Sequence, residues 1–142
     1  MSAATSAAVA VTFVWLGMVL AISFLEAPLK FRAPQVTLPI GLGIGRLVFR
    51  ALNSVELVLA VVVVVASLTR SHDWATVLLL LAVLVLVAQL LLVRPRLTRR
   101  SDQVLSGDDA GRSQAHIGYV VLESLKVTLL LAGGILLLAG SS

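Results

Sequence analysis

The chain has 142 residues, 59% of them hydrophobic and 13% charged, with a formal net charge of +4. Its mean hydropathy is +1.07, far above what a water-soluble domain of this size carries, so composition alone selects the membrane class. Cysteine is absent, which excludes disulfide frameworks, thiolate nucleophiles and cysteine-ligated metals.

A membrane-crossing helix takes about 20 mostly apolar residues. The first such run, Ser6 to Leu25, has no basic residue before it and is longer than the apolar part of a secretion signal; a retained helix is expected over about 5–25. Three further windows qualify, at 47–69 (the membrane part of a longer segment, 40–69), 74–93 and 116–139. Each is a continuous apolar run, without the alternation of a barrel strand, and the expected architecture is a single all-α domain, a polytopic four-helix bundle. Pro28 and Pro34 are expected to break the chain after the first span, Pro39 to open the second helix, Pro95 to follow the third and Ser113 to cap the fourth.

Basic residues are split unevenly. Lys30, Arg32, Arg46 and Arg50 flank the first connection, and Arg94, Arg96, Arg99, Arg100 and Arg112 crowd the third, 94–115. The middle connection holds only Arg70, and both termini lack Lys and Arg. The positive-inside rule then puts both basic loops in the cytoplasm and both termini outside. Lys30, Arg32, Arg46 and Arg50 are expected to meet anionic headgroups, each worth about 1 kcal/mol near the surface. Membrane lipids are thus the expected partners. Nucleic acid is not, because the arginines are explained by topology and no aromatic-interleaved basic patch exists.

Two spans carry polar stripes. On a helical wheel Arg46, Arg50, Asn53 and Glu56 fall within about 120° of one another, and His116, Tyr119, Glu123 and Lys126 within about 80°. Glu56 and Glu123 lie roughly 10–15 Å inside the cytoplasmic boundary at the helical rise per residue. Glu26 ends the first span on the same side and Gln89 approaches it in the third. Ionisable groups at such depth cost roughly 2.5–3.5 kcal/mol each, so they turn inward and find partners. The stripes of the second and fourth helices should therefore face each other with Glu26 nearby, leaving the Leu- and Val-rich third helix most exposed to lipid. Two readings of the cluster stand side by side. One is a structural network in which Glu56 or Glu123 pairs with Lys126 or Arg50. The other is a binding site or proton relay, since intramembrane ionisable residues commonly mark solute and ion paths.

A carboxylate-bridged metal centre is not expected. Di-iron bundles supply Glu-x-x-His on two helices, whereas here the one histidine on this side, His116, precedes Glu123 by seven residues. The other, His72, is at the opposite end, which also excludes a bis-histidine haem. No cofactor is expected. The "GLGIG" run (41–45) lacks dinucleotide-fingerprint spacing and reads as close helix packing, or as an anion nest with Lys30, Arg32 and Arg46. "AGG" (132–134) also reads as close packing, and Trp74 as an outer-interface residue.

The segment "FLEAPLKFRAPQVTLPIGLGIGRLVFRALNSVE" (24–56) carries Ala27, Pro28, Phe31, Gly45 and Phe49, in an outline that resembles small four-helix bacterial membrane proteins related to the transmembrane protein 205-like family. A polar fourth helix opening near a histidine, here His116, is similar too. Glu26 and the Asn53/Glu56 pair lie outside that outline. The resemblance implies a multi-pass protein of the bacterial inner membrane and transfers no catalytic residues. The expected function is binding or transport of a small solute, ion or lipid headgroup at a cytoplasm-facing site between helices two and four, built from Glu26, Asn53, Glu56, His116, Tyr119, Glu123 and Lys126. A bundle this small is expected to form homo-oligomers if it transports. The alternatives are an accessory subunit of a larger membrane complex and an intramembrane enzyme acting on a lipid or quinone.

Overall fold

The computed structural model describes residues 2–70, 72–93, 95, 99 and 114–140, with 93 and 114–116 described by backbone alone. Four long helices account for nearly all of them, and no strand occurs among the described residues. Helix α1 is Ala3–Lys30. Helix α2 is Leu38–Thr69, α3 begins at Trp74 and α4 is Gln114–Gly140. All four are long and apolar enough to cross a membrane, the design of a multi-pass membrane protein. Ser113 and most of the 94–115 connection lie outside the described residues.

Helix starts follow short-range chemistry. Ser2, Thr37 and Asp73 cap α1, α2 and α3 with side-chain oxygens that accept from the backbone N–H three residues on, filling donors that a helix start leaves open. Pro39 sits in the first turn of α2 as expected. Pro28 does not end α1, which continues to Lys30. The preceding turns, Leu20–Glu26, are π-wound, and the Ala27 N–H reaches back five residues to the Ile22 carbonyl. Proline removes a donor and crowds the carbonyl four residues before it, and the widened turns accommodate both. The chain then reverses through 31–37, where Gln35 takes the left-handed conformation (φ 69°).

The helices alternate in direction, each packing on its sequence neighbour, and α4 closes the ring against α1. Helices α2 and α4 therefore stand diagonally, meeting through long side chains. The polar stripes of α2 and α4 face each other as expected, across the diagonal, where Lys126 meets Glu56. One expectation is corrected: α3 is not the most lipid-exposed. Helix α3 packs extensively on α4, and it is α1 whose apolar span buries the smallest share. Close approach on α4 is made by glycine: a Cβ at Gly133 would lie 2.8 Å from Leu79, and one at Gly134 2.8 Å from Phe13. The "AGG" run thus packs as expected. The half of the bundle toward the termini is filled by Ala8, Val63, Leu79, Leu130 and Leu137. Large apolar residues such as Leu47, Val61, Leu84 and Leu91 point outward, as suits a hydrocarbon surrounding.

Candidate functional site

Lys126 is the centre of the polar half. It lies on the inner face of α4, fully buried, one turn beyond Glu123. Its ammonium donates to Glu56 Oε2 at 2.5 Å, to Gln89 Oε1 at 2.9 Å and pairs with Glu123 Oε1 at 2.6 Å. A lysine ammonium has three donors, and all three are engaged. Glu56 comes from α2, across the diagonal, and Gln89 from α3. Helix α1 completes the set. Trp15 Nε1 donates to Glu56 Oε2 at 2.7 Å, and Ser23 Oγ donates to Glu123 Oε2 at 2.6 Å. Gln89 Nε2 also donates to Glu123 Oε1 at 3.2 Å. The site therefore draws on all four helices, rather than on the second and fourth alone.

The two carboxylates are held differently. Both Glu123 oxygens accept hydrogen bonds. Glu56 accepts two donors on Oε2, while Oε1 is buried with no hydrogen-bond partner. Thr12 Oγ1, further toward the termini, is another buried oxygen without one.

Ser23 and Gln89 share a backbone signature. Each lies in a π-wound stretch, Leu20–Glu26 in α1 and Gln89–Val93 in α3. Single π turns are rare and concentrate at functional sites. Here they occur on two diagonal helices, where those helices supply neutral partners to the same carboxylate.

Asn53 lies one turn from Glu56 on the inner face of α2, buried and without a side-chain hydrogen bond among the described residues. Tyr119 is buried on α4, one turn before Glu123, and meets the Phe49 ring edge to face at 5.7 Å. The helix carrying His116 is in place, but its side chain lies outside the description. Glu26 does not join the Lys126 cluster. Its partner is Lys30, one turn on, at 3.8 Å.

Lys30 departs from its expected headgroup role. Its side chain is 10% exposed, with the ammonium 5.6 Å from the Phe31 ring centroid and 5.7 Å from that of Phe49, a cation–π arrangement. The glycines of the "GLGIG" run make room for this. A Cβ at Gly41 would run into the Phe31 ring, and one at Gly45 would lie 2.9 Å from Lys30 Nζ. The run is therefore a seat for side chains from the end of α1. Arg32 and Arg50 are exposed and Arg46 half-buried. Among the described residues no three His, Cys, Asp or Glu side chains are placed to share a metal ion.

Sequence reasoning missed Trp15 and Ser23. A lone tryptophan and serine in an apolar run carry little helical-wheel signal when the rest of the inner face is Ala8, Thr12, Leu16 and Val19. Comparison with family models, curated proteins and solved structures returns no match, so the reading of this site rests on its own chemistry.

Proposed function

We propose that the chain is a small multi-pass protein of the bacterial inner membrane that binds, and in an oligomer transports, a small solute, ion or lipid headgroup at the polar end of its bundle. Both basic connections lie in the cytoplasm in this reading, with both termini outside. Arg32, Arg46 and Arg50 then contact the anionic leaflet. The observation that carries the reading is the fully buried Glu56–Lys126–Glu123 cluster, in which Glu56 Oε1 has no hydrogen-bond partner. Such a cluster costs stability that apolar residues of similar volume would not, so packing alone does not call for it. Asn53 and Tyr119 lie between the cluster and the basic end, and form its approach. The Lys126 ammonium occupies the place a ligand would take, and so acts as a tethered stand-in that a ligand displaces.

The absence of cysteine gives a clean test. Asn53→Cys, in oriented membrane vesicles, should react with a small membrane-impermeant thiol reagent from the side of the basic loops, while Ala60→Cys, in the apolar layer, stays inert. Equal inertness of both variants, or reaction of Asn53→Cys only from the side of the termini, would sink the proposal. Stoichiometric co-purification of another membrane protein would instead place the bundle as a subunit of a larger complex.

A further inference from the structure

The ligand class can be narrowed, on the reading just given, by counting charge and oxygen atoms around Lys126. The cluster holds two carboxylates and one ammonium. From α4 come Glu123 and Lys126, from α1 the neutral Trp15 and Ser23, from α3 the neutral Gln89, and from α2 Glu56 itself. The nearest other charged pair with both partners described, Glu26 with Lys30, closes on itself. With every group ionised the cluster carries one uncompensated negative charge in a fully buried position. An unbalanced buried ion costs several kcal/mol, and the Glu56 and Lys126 side chains are 0% exposed.

The geometry says where a compensating positive charge goes. Every oxygen of Glu123 is taken, and Glu56 Oε2 already accepts from Trp15 and Lys126. Glu56 Oε1 alone is open. A metal cation needs a shell of several oxygens, and among the described residues no three His, Cys, Asp or Glu side chains are placed to hold one. A proton needs only one. Protonation also suits the pattern on the other oxygen. A carboxylic acid keeps its C=O oxygen as a two-donor acceptor, here Oε2, and leaves the hydroxyl on Oε1. An unpartnered buried hydroxyl costs far less than an unpartnered buried charge.

We infer that Glu56 Oε1 is a proton-binding site, and that this proton is the exchangeable ligand of the bundle. In the closed arrangement the cluster is neutral: Glu56 as the acid, Lys126 as ammonium, Glu123 as carboxylate. Release breaks the Oε1–H bond, leaves its electron pair on Glu56 and passes the proton to water on the Asn53 side. The cluster is then left with a net negative charge that a proton or a cationic solute from that side restores.

Infrared spectroscopy of the full-length protein in lipid at neutral pH reads this directly. The wild type should show one carboxylic-acid C=O band that shifts on transfer to D2O. Charge balance makes the variants distinctive. Glu56→Gln and Glu123→Gln should both lose the band, because either leaves one carboxylate for one ammonium, whereas Glu26→Gln should keep it. Lys126→Met should gain a second band. Absence of the band in the wild type overturns the inference without any variant being needed. A band that survives Glu56→Gln, or that is present but does not shift in D2O, overturns it as well. The outcomes separate from those above. A reactive Asn53→Cys without a carboxylic-acid band leaves a binding site whose ligand is not a proton. An inert Asn53→Cys with a shifting band keeps the proton and removes the open approach.

Discussion

Two polar clusters sit at opposite ends of this bundle, and they are built on opposite plans. At the end near the termini, Arg70 donates to Thr5 Oγ1 (3.1 Å) and Thr76 Oγ1 (3.2 Å) and pairs with Asp73 (3.4 Å), which caps α3 through the Thr76 N–H. Most of those bonds join residues three to six apart, and Asp73 is half exposed. At the other end, Lys126 reaches Glu56 and Gln89, 70 and 37 residues away in sequence, with no exposure at all. The first cluster is a clasp that water can replace bond by bond. The second has no such substitute, because each buried group depends on the others for its solvation. The same kinds of contact, ion pairs and hydrogen bonds, are thus nearly interchangeable with solvent in one place and mutually obligatory in the other.

That contrast can be broken in order of expected size. Lys126→Met removes the shared cation, leaves two buried carboxyls face to face and should cost about 3–5 kcal/mol, seen as a large drop in unfolding midpoint or in membrane accumulation. The triple variant Lys126→Met, Glu56→Gln, Glu123→Gln should recover most of that loss. If it is as unstable as the single variant, the penalty is one of packing and the comparison fails. Trp15→Phe replaces the indole by a smaller ring and deletes one donor to Glu56; with Glu56 neutral the lost hydrogen bond is worth about 0.5–1.5 kcal/mol. A hydrogen-bond loss of about 1.5–3 kcal/mol, the range for a charged acceptor, would count against the protonated Glu56.

The clasp should respond weakly. Asp73→Ala removes an N-cap, worth about 1 kcal/mol, and Arg70→Ala a partly buried ion pair with two hydrogen bonds to hydroxyls, worth about 1 kcal/mol each at most. Thermal unfolding in detergent distinguishes either from the Lys126 variant. The clasp also has a pH signature of known sign. The Thr76 backbone N–H, followed by its hydroxyl and by Arg70, holds the Asp73 carboxyl below the usual carboxylate range. A depressed carboxyl stabilises the fold above its unfolded value, and that contribution is lost as pH falls through the folded value. A small acid-side loss of stability should therefore be present in the wild type and missing in Asp73→Asn.

The same difference in plan decides what the sequence reveals. The four helices were legible because each is an uninterrupted apolar run, and a bilayer-spanning run has one solution. The place of Pro39 in the first turn of α2 is local and equally legible. Glu56, Glu123 and Lys126 were legible as buried and in need of partners, since a charge in an apolar helix has few options. Their pairing was legible only in part, because the i, i+3 spacing of Glu123 and Lys126 is local while the reach to Glu56 is across the diagonal. Trp15 and Ser23 were not legible. Their roles follow from the order of helices around the ring and from π turns that shift a helix face within one run. No apolar pattern encodes those turns, and Pro28, which the winding of Leu20–Glu26 accommodates, reads in sequence as a helix end. Lys30 was misjudged because a basic residue just beyond a span reads as a headgroup contact unless the glycines facing it are known to leave a hollow.

The position of Trp15 has a practical consequence. The chain contains two tryptophans. Trp74 is 75% exposed at the start of α3, whereas Trp15 is 0% exposed with its indole N–H on Glu56. Replacing Trp74 by phenylalanine leaves a single native fluorophore wired to the carboxyl oxygen that Lys126 shares. Its emission then reports the charge on Glu56 from inside the membrane, in real time and without an added label.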